Sequence, residues 1–99
     1  MKKLKTKIFD TAEFLSSEKD MAAYLEAAFS ESDPSLVVQA LGAIAKARGM
    51  AQIAKDTGLR RESLYKALSP EGNPEFNTVL KVVKALGIRL HAETMHAIV

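Results

Sequence analysis

Apolar residues recur at three- and four-residue intervals along most of this chain, the spacing of one helix face rather than of a strand. Met21, Tyr24, Leu25, Ala28 and Phe29 form one such stripe. Ser17 stands before it with Asp20 three residues on, a capping-box arrangement with a short acid. This predicts a helix over 18–29, broken by Ser30-Glu-Ser-Asp33. Asp33-Pro34 is a strong start for the next helix. Asp accepts orphan backbone donors and Pro at the first helical position loses nothing. That helix is expected to run to Arg48, with Leu36, Val37, Ala40, Leu41, Ile44 and Ala45 inward and Gly49 as its stop. A short helix from Met50 or Ala51 to Asp56 follows, then a turn at Thr57-Gly58-Leu59, then a helix from Arg61 to Leu68. Ser69 to Pro74 reads as a loop, with Asn73 as a cap-like start for a last helix to Leu86. Its inward stripe is Phe76, Val79, Leu80, Val83 and Leu86. Gly87 ends it. Residues 88–92, Ile-Arg-Leu-His-Ala, alternate in polarity. They fit one short strand, whose edges call for a partner chain, or an extended tail that packs. Upstream, residues 1–9 read as a basic lead-in, and Asp10 can cap a short turn through Leu15.

Two short amphipathic helices around one glycine suggest a helix-turn-helix. The chain must reverse sharply, and Gly58 sits where a positive φ is needed. Ala54, four residues earlier, suits a close approach of the two helices. Ile53, Leu59 and Leu64 are spaced to fill the volume beneath the turn, where Thr57 is less suited than an apolar residue. With these inward, Arg60, Arg61, Glu62, Tyr65 and Lys66 face outward on the second helix. A recognition helix presents such N-terminal residues to base edges in the major groove. Arg pairs bidentately with guanine and Glu accepts from cytosine. Amides near Ala51 and Gln52 are placed for phosphate, and Lys46, Arg48 and Lys55 add sequence-independent attraction. Ser69 and Asn73, just beyond the second helix, complete the candidate phosphate contacts. The alternative is a helical hairpin with a solvated charged face, in which Glu62 pairs with Lys66 one turn on.

Charge sharpens this picture. The net charge of the 99 residues is +2, unevenly spread. Residues 10–33 hold seven acids against one lysine, and residues 34–66 hold six Lys or Arg against two acids. An acidic front and a basic middle suggest two partners, or acids that merely solvate helix surfaces. There is no cysteine, so no disulfide, thiolate metal site or cysteine nucleophile. His91 and His96 are the only histidines, and no acid cluster completes a metal site around them. Ser63 has no histidine in its motif, no carboxylate pair is spaced for catalysis, and no glycine-rich phosphate loop exists. An enzyme is not expected, nor a cofactor. No apolar run spans a bilayer and no signal-peptide pattern follows the N-terminal lysines, so a cytoplasmic protein is expected.

Several runs resemble one family. They are Ile53-Ala54, Thr57-Gly58-Leu59, Arg61-Glu-Ser-Leu-Tyr-Lys-Ala-Leu-Ser69, Gly72-Asn73-Pro74 and the run from Phe76 to Leu90. Together they resemble the addiction-module antidote family, the HigA-like antitoxins with a Cro/XRE-type phage-repressor helix-turn-helix. The likeness reaches upstream to Asp10–Leu15, Ala22–Leu25 and the Asp33-Pro34 helix. It implies an all-α domain of five to six helices with a phage-repressor-like helix-turn-helix, an N-terminal helical extension and the short C-terminal strand. The corresponding boundaries are 1–32 for the lead-in and acidic extension, 33–92 for the DNA-binding domain and 93–99 for a tail. The resemblance also implies operator binding and neutralisation of a RelE/HigB-type toxin, a small basic ribonuclease. By the family's motif, Arg60, Arg61, Glu62, Tyr65 and Lys66 are the recognition positions. The family often has Ser where this chain has Arg60, which adds charge and forgoes a good N-cap. A homodimer on a palindromic operator is expected, its surface drawn from the last helix and residues 88–92. The acidic segment 10–33 is the candidate toxin surface. A phage-type regulator without a toxin, and a protein-binding antitoxin with vestigial DNA binding, are the alternatives.

Overall fold

The computed structural model describes residues 17–95. The lead-in, the expected turn at Asp10–Leu15 and the end of the tail lie outside the described residues. Five helices and no strand occur among them: α1 Glu18–Ser30, α2 Pro34–Arg48, α3 Met50–Thr57, α4 Arg61–Ala67 and α5 Phe76–Ala85.

Local chemistry sets most of the boundaries. Ser17 is extended and its Oγ accepts from the Asp20 amide at 3.1 Å, so α1 starts as its cap signal predicts. The α1 stop is less ordinary: Ser32 takes a left-handed φ of 56°, which a β-carbon disfavours. Asp33 then caps α2, its Oδ1 accepting from the Ser35 amide at 3.0 Å, with Pro34 at the first helical position. Gly49 closes α2 with φ 111°. The end of α5 is a Schellman turn. The Gly87 amide donates to Lys84 O at 3.0 Å and the Ile88 amide to Val83 O at 3.1 Å, with Gly87 at φ 79°.

The α5 start departs from expectation. It begins at Phe76, with Glu75 in the cap position and no side-chain cap bond, so Asn73 does not serve as the cap. The loop before it doubles back on α4. The Gly72 amide donates to Ser69 O at 2.8 Å, and a β-carbon at Gly72 would collide with the Ala67 carbonyl.

α1 packs along α2, α2 also meets α3 and α5, and α3 touches both α4 and α5. The core contains no buried polar or charged side chain among the described residues. Met21 and Leu25 enter it from α1, Leu41 and Ile44 from α2, Ile53 from α3, Leu64 from α4, and Val82, Val83 and Leu86 from the end of the chain. Gly42 lets α2 approach the end of α4, since an added β-carbon there would stand 2.7 Å from Leu68 O.

Three expected inward stripes are rotated. Leu36 and Phe29 are exposed. On α5, Phe76 is 68% exposed and Leu80 is also exposed, while the fully buried Val82 replaces them. The face that α2 and α3 cover runs Val79, Val82, Val83 and Leu86, and Phe76 and Leu80 lie beyond its edge. Residues 88–92 form no strand in the single chain, because no second strand lies beside them. Ile88 and Leu90 pack against the core instead. No helix among the described residues is long and apolar enough to cross a membrane.

Candidate nucleic-acid interface

The turn between α3 and α4 is built by three consecutive residues. Gly58 closes α3 in the left-handed conformation, φ 78° and ψ 11°, and its amide donates to Ala54 O at 2.9 Å. Ala54, whose carbonyl accepts that bond, is buried in the core. Thr57 does more than an apolar residue would. Its Oγ1 donates to Ile53 O at 2.8 Å and accepts from the Leu59 amide at 3.3 Å. One hydroxyl thus ties the last turn of α3 to an amide of the outgoing chain. This corrects the expectation of a poorly suited threonine.

α4 is pinned through Leu64, which is 0% exposed. Its remaining outward positions, Arg60, Arg61, Glu62, Ser63, Tyr65 and Lys66, are all exposed. Arg60 occupies the N-cap position, where its guanidinium, which has no acceptor, makes no cap bond. The only ion pair among the described residues joins Arg48 to Glu18, so Glu62 and Lys66 are not paired within α4.

The supporting residues divide into three groups. Lys46 and Lys55 are exposed cations near the ends of α2 and α3. Lys66, Ser69 and Asn73 line one shallow depression of about 530 Å³ with Ser63, Glu71 and Gly72. Within it the Ser69 hydroxyl donates to Lys66 O at 2.8 Å, leaving its oxygen lone pairs and not its proton for other contacts. Arg48 stands apart: Nη2 lies 3.7 Å from Glu18 Oε2, and Nη1 lies 3.9 Å from Met21 Sδ. In the single chain its guanidinium lies against α1.

Gln52 donates from Nε2 to Asp56 Oδ1 at 2.8 Å, a pairing one turn apart on α3. The second amide proton and the carbonyl oxygen remain for a ligand. The Gly49 position before α3 carries no side-chain cap, so the first amides of that helix are uncovered by protein side chains. Sequence reasoning passed over Asp56, Glu71 and Gly72 in this region. The i, i+4 spacing of Gln52 and Asp56 was a readable signal; the approach of Gly72 to α4 was not.

Comparison with known proteins gives a family. Residues 5–94 match the family described as "probable addiction module antidote protein". The chain belongs to this antidote family. An uncharacterized protein of Haemophilus influenzae is 51% identical over 87 residues, covering 88% of this chain and 90% of that protein. No solved structure matches. An antidote is one half of an addiction pair, so membership implies a toxin partner in general.

Proposed function

We propose that this antidote-family chain is a HigA-like antitoxin with a Cro/XRE-type helix-turn-helix, which binds operator DNA through α4 and neutralises a RelE/HigB-type toxin. It acts by binding and not by catalysis. The observation that carries the DNA reading is α4 itself. One residue, Leu64, is fully buried, while Arg60, Arg61, Tyr65 and Lys66 project from a helix held proud by the Gly58 turn. Such a rod suits the major groove, with arginines at its N-terminal end toward base edges. Lys46, Lys55 and the uncovered amides of α3 suit the flanking phosphates. A homodimer spaces two such helices by about 34–36 Å on a palindromic site and represses by blocking polymerase.

The described part of the acidic segment supports a separate toxin surface. α1 and the turn after it carry Glu18, Asp20, Glu26, Glu31 and Asp33 against Lys19. A cationic nuclease is steered toward such a field.

A mobility-shift assay with the DNA upstream of the gene tests the first role. Arg61→Ala is expected to cost about 1–3 kcal/mol and to relax preference at one base position. Affinity is expected to fall steeply with salt. No shift at low salt, with toxin capture intact, sinks the DNA role and leaves a protein-binding antitoxin. Charge reversal at Glu18, Asp20 and Glu26 tests the second role through co-purification with the neighbouring gene's product. Undiminished capture rejects the acidic surface.

A further inference from the structure

A groove of about 540 Å³ runs between α1 and the segment that follows α5, away from the cationic face of α4. Ala22, Leu25, Glu26, Phe29 and Ser30 build its α1 wall, at the three- and four-residue spacing of a single helix face. Leu25 is buried, whereas Phe29, one turn farther along the same wall, is 45% exposed. Ile88 and Leu90, half-buried against the core, line the other side. An exposed aromatic ring beside an apolar hollow has the form of an interface anchor. The charges narrow what it can hold. Within the lining, Glu26 and Glu93 stand with Arg89 and His91. On the α1 side, Glu18, Asp20, Glu31 and Asp33 stand against Lys19 alone and tip the field negative. Such a field repels the phosphates of a nucleic acid. An isologous contact of two copies centred on this wall would set α1 on α1, acids against like acids. The chemistry that fits is a cationic protein segment with an apolar side chain to bury.

We propose that this groove is the anchor of the toxin contact. A Lys- or Arg-flanked apolar segment of the cationic toxin seats in it, with the apolar side chain against Phe29 and the cations toward Glu26 and the other acids of α1. The inference rests on the toxin binding of the proposed function and names the place and chemistry of that contact. Charge and burial then have separate tasks. The acids of α1 steer the encounter, which acts on the association rate and is screened by salt. The ring of Phe29 loses its exposure only in the docked complex, so its burial acts on the dissociation rate. Glu26 lies three residues before Phe29 on the same wall, so the cations that it attracts arrive beside the ring.

Binding kinetics of the full chain with the purified product of the neighbouring gene test this. Phe29→Ser is expected to raise the dissociation rate about thirtyfold and to leave the association rate unchanged. Glu26→Lys is expected to lower the association rate at low salt, with the difference fading as salt is added. Ala22 and Ala23 are neighbours and both are exposed, but Ala22 lines the groove and Ala23 does not. Ala22→Tyr plugs the groove and is expected to abolish binding at concentrations that saturate the unchanged chain. Ala23→Tyr is expected to bind as the unchanged chain does. Thermal unfolding of each variant checks that the fold is intact. Unaltered kinetics for Phe29→Ser and Ala22→Tyr overturn the groove while the antitoxin role stands. Failure of the unchanged chain to bind overturns both. Unaltered kinetics together with weaker self-association of Phe29→Ser assign the groove to a second copy and overturn the inference. So do unaltered kinetics with a lower unfolding midpoint for Ala22→Tyr, which assign it to the chain's own residues 1–16. Equal losses in Ala22→Tyr and Ala23→Tyr place the toxin on α1 outside the groove and overturn it as well.

Discussion

Ser32 and Gly58 both sit in the left-handed region, at φ 56° and 78°, and only one of them is glycine. A β-carbon in that region costs about 1–2 kcal/mol. Gly58→Ala is therefore expected to lower stability by about 1 kcal/mol, although nothing lies within reach of the added methyl. In thermal unfolding that is a fall of roughly 4–8 °C for a domain of this size. Ser32→Gly runs the other way. Relief of the left-handed penalty is partly offset by glycine's greater freedom when unfolded, about 0.5–1 kcal/mol. A net gain of about 0.5 kcal/mol is expected, read as a higher denaturant midpoint at unchanged slope. Thr57 acts through hydrogen bonds rather than through φ. Thr57→Val keeps the shape but leaves the Leu59 amide without its side-chain acceptor, so about 1 kcal/mol should be lost in the same measurement.

α4 is too short to persist by itself, since helices below about 12–15 residues are marginal in water. Its stability is borrowed from the contact of Leu64 with the core. Leu64→Ala is expected to cost about 2–5 kcal/mol and to abolish DNA binding together with folding. The N-cap position shows the opposite balance. Arg60 makes no cap bond, so Arg60→Ser should stabilise the helix by about 0.5–1 kcal/mol. The same change removes a cation from the exposed face, and the salt dependence of DNA affinity should become shallower by about one unit of slope. Equal slopes for the two proteins would remove Arg60 from the phosphate contacts. The α1–α2 junction is different again. Arg48 and Glu18 are partly exposed, and such pairs contribute about 0–1 kcal/mol. Their use lies in orienting α1, whose Met21 and Leu25 supply the burial.

Across the whole molecule the centres of the two charge blocks lie on different elements. The acidic α1 packs on α2, while the cationic α4 is carried by α3. The proposed function then calls for two partners held independently. Arg61→Ala should leave toxin capture unchanged, and charge reversal on α1 should leave the mobility shift unchanged at fixed salt. Loss of both functions from either change would mean that the surfaces are one. The linear separation was legible from composition: acids cluster before Asp33 and cations after it. What composition left open is where Arg48 points in the single chain, and its guanidinium lies 3.7 Å from the Glu18 carboxylate.

The order of the helices and, apart from the start of α5, their caps and stops were determined by the sequence itself, because those interactions are made between neighbours. Ser17 with Asp20, Asp33 with Ser35, and the glycines at 49, 58 and 87 act within one turn of the chain, and each does what its spacing predicts. The outward set on α4 follows as soon as Leu64 is placed inward. The tertiary structure alone decided which flank of each amphipathic helix is covered. Phe29, Leu36, Phe76 and Leu80 share a helical period with buried residues and remain exposed, while Val82 is fully enclosed. Periodicity specifies that a helix has an apolar side; only the neighbours that pack against it determine how far round that side burial extends.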